Sequence, residues 1–182
     1  MAVKPKPLCY VNLAPAEIKR GHIGYARTTG FLGFLIRVGE RLKWRNGDSN
    51  HAFIVVDEGD TYETIWIVQA TLRGVVKSTL APLLENSYVV DIYPPAVNAH
   101  PELVVIFAEN EIGSPYGLMS ICCIALDITT PDWFIAFRRK NTWICSALAG
   151  ESMRFAGWYD DVPDIYCQTP TQLKVAHLKC LP

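Results

Sequence analysis

The sequence predicts an α+β fold in which an antiparallel sheet packs against helices. Segments rich in β-branched and aromatic residues follow one another between positions 51 and 93, separated by polar turns. Segments with helical spacing of apolar residues, and with recognisable start and stop signals, dominate the second half. No Pro/Gly/Ser-rich linker and no internal repeat divides the 182 residues. We therefore expect residues 1–182 to form a single domain.

Four segments are predicted to be strands. Residues 22–27 (HIGYAR) form a short strand that enters the domain. Residues 51–56 (HAFIVV) and 61–70 (TYETIWIVQA) follow, with a turn at 57–60 between them. Residues 88–93 (YVVDIY) form the last strand, which ends at two prolines. These segments favour a sheet built from consecutive hairpins.

Four helices are predicted around this sheet. Residues 31–42 carry apolar side chains at helical spacing. Residues 101–112 begin with a proline and are followed by Gly113, both typical of helix ends. Residues 142–156 follow Asn141 and Thr142, two possible N-caps. The run Thr169-Pro170-Thr171-Gln172 predicts the start of a last helix, with a threonine N-cap and a glutamine three residues later.

Composition excludes several classes of function. The formal net charge is −1, and the longest basic run is only Arg138–Lys140, so we expect no nucleic-acid partner. The apolar run Leu118–Leu126 is too short to span a bilayer. The first ten residues lack a signal-peptide pattern, and the six cysteines form no C-x-x-C pair, which favours reduced thiols. We expect a location in the cytoplasm of the producing cell or association with a phage or virion.

Cys145 is the candidate nucleophile because it falls in the first turn of a predicted helix. Backbone N–H groups and the positive end of the helix dipole stabilise a thiolate there and lower its pKa. The same N–H groups can stabilise an oxyanion, and the next residues, Ser146 and Ala147, are small. The alternative is an ordinary buried thiol.

His51 is the candidate base among four histidines, since it begins a strand directly after a polar loop. His22 could equally be a strand residue that faces solvent, and His100 precedes a helix. His177 and Cys180 form an H-x-x-C pair, but no second close pair completes a zinc site, so we expect no metal and no cofactor.

Gln69 is the candidate residue that orients the imidazole, because it is the polar residue in an apolar strand. It could instead simply mark the end of that strand. A two-residue turn at Glu58-Gly59 would place Gln69 on the opposite face from His51. A five-residue loop from Glu58 to Tyr62 would set the two residues opposite each other, and a β-bulge would also restore a shared face.

Several segments in this order resemble a known family. They are SNHAFIVVDEG, IVQATLRGVV, SPYGLMSI, WICSAL followed by GW, and QTPTQL. Together they resemble the circularly permuted NlpC-type papain-like cysteine peptidases and amidases of the YiiX/YaeF kind, which are distantly similar to lecithin–retinol acyltransferase. The resemblance spans about residues 20–175.

The resemblance implies a papain-like fold with Cys145 as nucleophile, His51 as base and Gln69 as the third polar member. It also implies that Tyr116 lines the cleft as an oxyanion or substrate contact, although Tyr116 could simply be a turn residue after Pro115. Ser146 is a further candidate at the oxyanion position. The family often has an acidic residue after Cys-Ser, where this chain has Ala147, and a carboxylate where it has Gln69.

The implied activity is hydrolysis of an amide or ester through an acyl-enzyme. The implied substrates are cell-wall-type peptides, peptidoglycan fragments or lipid acyl groups. Two alternatives remain open. An inactive relative would bind a peptide or lipid in the same cleft, and an acyltransferase would pass the acyl group to an amine.

Overall fold

The computed structural model of the chain describes residues 9–29, 47–117, 142–158 and 168–181. Within these ranges the chain has the predicted α+β architecture, with six strands, four α-helices and one short 3₁₀ helix. The strands are β1 (Tyr10–Val11), β2 (Ile23–Thr28), β3 (His51–Asp57), β4 (Trp66–Thr71), β5 (Gly74–Thr79) and β6 (Ser87–Tyr93). The helices are α1 (Ala81–Glu85), α2 (Pro101–Asn110), α3 (Cys145–Phe155) and α4 (Pro170–Leu178), and the 3₁₀ helix is Pro15–Glu17.

The six strands form one mixed sheet with the order β1-β6-β2-β3-β4-β5. β3 and β4 form an antiparallel hairpin, as the sequence predicts. β2 pairs antiparallel with β3 and with β6, so the last predicted strand does not follow β4 in the sheet, and β5, which the sequence does not predict, pairs antiparallel with β4. Only the short β1 pairs in parallel, with β6, among the described strands. Alternation of side chains along the strands divides the core into two clusters, one on each face.

One cluster lies between the sheet and the helices. Ile54 and Val68 of the sheet pack there with Val104 of α2 and Leu148 of α3. The other cluster includes Phe53, Val55 and Ile67, and lies on the opposite face. We call these the helix face and the far face of the sheet.

The observed boundaries correct some predictions. The strand predicted at 61–70 begins only at Trp66, because Thr61 and Thr64 form a turn in which the Thr64 N–H donates to the Thr61 carbonyl at 3.1 Å. The sequence did not predict β1, β5 or α1. The helix predicted at 31–42 lies outside the described residues.

Helix starts were predicted with mixed success. His100 is the N-cap of α2, and Thr169 caps α4 with the expected capping box to Gln172. The expected N-cap of α3 at Asn141 or Thr142 is wrong, because the helix begins later, with Ile144 as its N-cap and no side-chain cap. The N-cap residue of α3 therefore offers no side-chain acceptor to the N–H groups of the first turn.

A β-bulge in β3 sets the register of the β3–β4 hairpin. Ile54 pairs with Val68 and Val55 with Ile67, whereas Asp57 pairs with Trp66, so that one residue of β3 is left over. The Arg20 guanidinium donates a hydrogen bond to the carbonyl of the leftover Val56. Of the register possibilities that the sequence left open, the five-residue loop is wrong and the bulge is confirmed.

None of the helices within the described residues has the length and apolar composition needed to cross a membrane.

Candidate functional site

His51 and Gln69 lie on the same face of the sheet as a result of the bulge. Extending the Ile54–Val68 register places Phe53 opposite Gln69, and His51 is two residues before Phe53. His51 and Gln69 are thus diagonal neighbours across the hairpin, which is within reach of long side chains. His51 Nε2 lies 2.7 Å from Gln69 Oε1. Since the amide oxygen can only accept, the imidazole Nε2–H is the donor.

The neighbouring strand extends this contact. Gln69 Nε2 donates to Ser78 Oγ of β5 at 3.1 Å. All three side chains are half-buried. A chain of hydrogen bonds therefore runs from His51 through Gln69 to Ser78 across three adjacent strands.

The loop before His51 is also fixed by hydrogen bonds. Asn50 is 2% exposed, and its amide bonds to the N–H, hydroxyl and carbonyl groups of Thr28 at 2.8 to 3.0 Å. The Thr171 hydroxyl at the start of α4 accepts from the Ser49 N–H and donates to the Ser49 carbonyl. The polar loop before His51 is therefore anchored to β2 through Asn50 and to α4 through Ser49.

Cys145 is the first residue of α3 and is 4% exposed. It packs with Ala52 and the other residues of the helix-face cluster. The backbone N–H groups of Ala52 and Ser146 both hydrogen bond to its sulfur.

The position of the Ala52 N–H explains how sulfur and imidazole meet, although His51 belongs to the far face by strand alternation. The Val55 N–H donates to His22 on the β2 side at 2.8 Å, and N–H groups alternate along a strand, so the Ala52 N–H points to the β4 side. The β3–β4 register ends at Ile54 and Val68, before Ala52. The sulfur occupies this end of the hairpin, where the side-chain hydrogen bond between Cys145 and His51 forms. Because His51 Nε2 bonds Gln69, the nitrogen that remains for the sulfur is Nδ1.

The two groups shift each other's pKa in the direction of an ion pair. Burial raises the pKa of the Cys145 thiol, but the hydrogen bond and charge of His51 and the Ala52 and Ser146 N–H groups lower that pKa by more. Burial lowers the pKa of His51, but the thiolate charge, the hydrogen bond to Cys145 and the bond to Gln69 raise that pKa above its ordinary value. Thiolate and imidazolium are thus favoured together.

Tyr116 lies beside this pair. It forms a parallel β-bridge with Trp143, two residues before Cys145, and the Gly117 N–H donates to the Trp143 carbonyl at 2.9 Å. The Trp143 indole N–H and the Ser114 hydroxyl both donate to the Glu111 carboxylate, which holds this segment to the end of α2. Burial, and then the charge of Cys145, raise the pKa of Tyr116 well above its ordinary value. Its hydroxyl therefore stays protonated and can act as a donor.

Ser146 contributes its backbone and not its hydroxyl. The Ser146 Oγ donates to the Gln168 carbonyl at 2.6 Å and is buried, so the side chain ties α3 to the residue before the N-cap of α4. The predicted residues Cys145, His51, Gln69 and Tyr116 are thus close to one another, and Ser146 joins them through its N–H group.

Sequence reasoning missed two participants. Ser78 lies in β5, which was not predicted, and the Ala52 N–H becomes available only because the register ends before it. Strand alternation along residues 74–79 could have indicated Ser78, once β5 was recognised next to β4.

No cluster of three or more potential metal ligands occurs among the residues that the structure describes. The His177 of the H-x-x-C pair has both ring nitrogens bonded, Nδ1 to the Tyr25 hydroxyl at 3.0 Å and Nε2 to the Pro94 carbonyl at 2.9 Å. In this arrangement, neither ring nitrogen is available as a ligand.

Comparison with known proteins adds no family to this description. No protein-family model matches the chain, and no curated protein matches it either. Function is therefore inferred from the geometry around Cys145.

Proposed function

We propose that the chain is a cysteine hydrolase with a papain-like fold in permuted order, in which Cys145 is the nucleophile and His51 the general base. One observation carries this proposal. A cysteine at the uncapped N-terminus of a helix is hydrogen bonded to an imidazole whose other nitrogen is held by an amide. Nucleophile, base and orienting group in this order are the arrangement that acyl transfer through a thioester requires.

In this proposal the reaction proceeds through an acyl-enzyme. The Cys145 thiolate attacks the substrate carbonyl carbon and forms an S–C bond, and the π electrons of the carbonyl move to its oxygen. His51, protonated on Nδ1, gives that proton to the leaving amine or alcohol as the tetrahedral intermediate collapses to a thioester. A water molecule then attacks the thioester, with its proton taken by His51, and the acid product leaves with Cys145 restored.

Two kinds of donor would stabilise the oxyanion. Backbone N–H groups at the start of α3 lie next to the sulfur, and Tyr116 keeps its hydroxyl proton. We propose a contact role for Tyr116 for this reason. Gln69 would keep the His51 ring in place without adding a negative charge, so the imidazolium would be less stabilised than it is beside a carboxylate.

The proposed substrates are amides of the cell-wall-peptide type, on the family resemblance described above, with lipid acyl groups as the alternative. The small exposure of Cys145 favours a second candidate function, a cleft that binds such a ligand without turning it over. The two functions differ in whether a covalent acyl-enzyme forms.

Alkylation by iodoacetamide across a range of pH tests the proposal. We expect Cys145 to be labelled in mildly acidic buffer, where ordinary thiols react slowly, and Cys145→Ala to remove this labelling. His51→Ala should slow labelling at that pH by about tenfold or more, the effect of losing one hydrogen bond to a charged group, since it removes the imidazole whose hydrogen bond and charge lower the pKa of the thiol. Cys180→Ala serves as the matched control, because Cys180 is a half-buried free thiol that follows the end of α4.

An electrophilic acyl probe distinguishes the two functions. A mass increase mapped to Cys145 and lost by hydrolysis supports the hydrolase. A protein that retains affinity for the ligand but never forms the adduct supports the binding function. Labelling of Cys145 that occurs only in alkaline buffer would contradict both the ion pair and the proposed activity.

A further inference from the structure

The side-chain amide of Gln69 has two chemically different ends, and only one suits His51. The imidazolium that forms with the Cys145 thiolate has N–H donors on both nitrogens, so Nε2 needs an acceptor. Gln69 Oε1 supplies it at 2.7 Å. The amide nitrogen must then point away and needs an acceptor of its own, since it is partly shielded from water.

Ser78 provides that acceptor. Its hydroxyl oxygen lies 3.1 Å from Gln69 Nε2. The register of β4 and β5 pairs Ile67 with Ser78 and Gln69 with Val76, so Ser78 and Gln69 are diagonal neighbours on the far face. A half-buried hydroxyl on a paired strand has few rotamers and forms a fixed second anchor for the amide.

We propose that Ser78 is a positioning residue of the site, which holds the Gln69 amide so that its oxygen faces His51. This inference rests on the proposed function of Cys145 and His51, and it adds a fourth side chain, on a third strand, to the arrangement. Ser78 acts through Gln69 and touches no reacting atom.

The electrostatic surroundings leave this effect measurable. Among the described residues, the side chains that shift the pKa of His51 are Cys145 and Gln69, and Ser78 is not one of them. Cys145 in turn interacts with Tyr116. The neighbouring cation on β5, Lys77, pairs with Val68 and so points to the helix face, where it bonds to Asp57 and Glu109 at 3.0 and 2.9 Å. A change at Ser78 therefore reaches His51 through Gln69.

The test compares two substitutions of nearly equal shape. Ser78→Thr keeps the hydroxyl and adds a methyl group, whereas Ser78→Val carries two methyl groups and no hydroxyl, and both residues suit a strand. We expect Ser78→Val to slow alkylation of Cys145 in mildly acidic buffer by about three- to tenfold, the effect of one weakened hydrogen bond on a charged pair, and Ser78→Thr to stay near the wild-type rate. Ser78→Ala is a smaller second variant, expected to behave like Ser78→Val.

A second background shows whether the effect passes through the amide. A carboxylate in Gln69→Glu has two equivalent acceptor oxygens and no N–H group that needs an anchor. In that background, removing the Ser78 hydroxyl should change the alkylation rate of Cys145 by less than twofold. The NMR shifts of the His51 ring protons should also change only slightly. Thermal unfolding of each variant checks that it is folded.

Three results would overturn the inference. Ser78→Ala and Ser78→Val could leave the alkylation rate of Cys145 unchanged. Ser78→Thr could slow alkylation as much as Ser78→Val does. Loss of the Ser78 hydroxyl could slow alkylation in the Gln69→Glu background as much as it does in the wild type. Because alkylation requires no turnover, failure to hydrolyse any acyl substrate would contradict the proposed function alone. Full hydrolysis with a titration that is insensitive to Ser78 would contradict the positioning role alone.

Discussion

His177 should make the protein lose stability in acid. Its side chain is 0% exposed, and it lies among the aromatic rings of Tyr25, Tyr93 and Trp158. The Pro94 carbonyl can only accept, so Nε2 carries the proton and Nδ1 accepts from the Tyr25 hydroxyl. Protonation of Nδ1 would force the Tyr25 hydroxyl to turn from donor to acceptor and would bury a charge.

The size of the effect follows from the pKa. Burial lowers the pKa of His177 from 6.5 to about 4, while the bond to Pro94 opposes part of that change. The folded state thus binds the proton less tightly than the unfolded state, so the stabilisation is complete above pH 6.5 and is lost as the pH falls toward 4. The difference corresponds to about 3 kcal/mol of unfolding free energy.

Urea unfolding from neutral pH down to below pH 4 measures this contribution. His177→Gln can donate to Pro94 and accept from Tyr25 but does not titrate, so its stability should fall by about 3 kcal/mol less than that of the wild type over this range. Val175→Gln, at an exposed position of α4, is the control and should keep the wild-type pH dependence. Equal pH dependence in the wild type and His177→Gln would refute the reasoning.

Two further substitutions test the packing of the sheet and the start of α4. Gly24→Ala would place a methyl group inside the ring of Phe53, which lies directly over this glycine. We expect the free energy of unfolding in urea to fall by about 3 kcal/mol or more. A fall below about 1 kcal/mol would show that the ring can move aside at little cost. Thr169→Ala removes the hydroxyl that accepts from the Gln172 N–H, and we expect the free energy of unfolding to fall by about 1 kcal/mol. Thr169→Ser keeps the hydroxyl and should be nearly neutral, so equal losses in the two variants would exclude the cap as the cause.

Much of the fold follows from local sequence signals. The strands β3 and β6 and the helices α2 and α4 begin within a residue or two of their predicted positions, because β-branched runs and capping residues act locally. Strand β5 was missed because its six residues include Gly74, Lys77 and Ser78 and form no apolar run. Its strand structure comes from pairing with β4, which no local pattern contains.

The candidate site divides in the same way. The types of the candidate residues, and the helix that begins near Cys145, are predicted from the sequence. The start of α3 at Cys145 itself could not be predicted, because Asn141 and Thr142 are better N-caps by propensity than Ile144. In the structure, the Trp143 backbone N–H donates to the Pro115 carbonyl in the bridge beside Tyr116, and the helix begins after it. A tertiary contact overrides the capping preference and brings the sulfur to the first position of the helix.

The meeting of His51 and Gln69 depends on a residue far from both. Without the extra residue in β3, the pairing of Asp57 with Trp66 would continue as Ile54 with Gln69, and the amide would lie on the face opposite the imidazole. Such a bulge leaves a carbonyl outside the ladder, and Arg20 satisfies that carbonyl while it also pairs with Asp57 at 3.1 Å. Arg20, in the segment that precedes β2, thus stabilises the register that the candidate site at the other end of β3 requires. A pattern of alternating residues carries no trace of this dependence, because either register would bury an equally apolar strand.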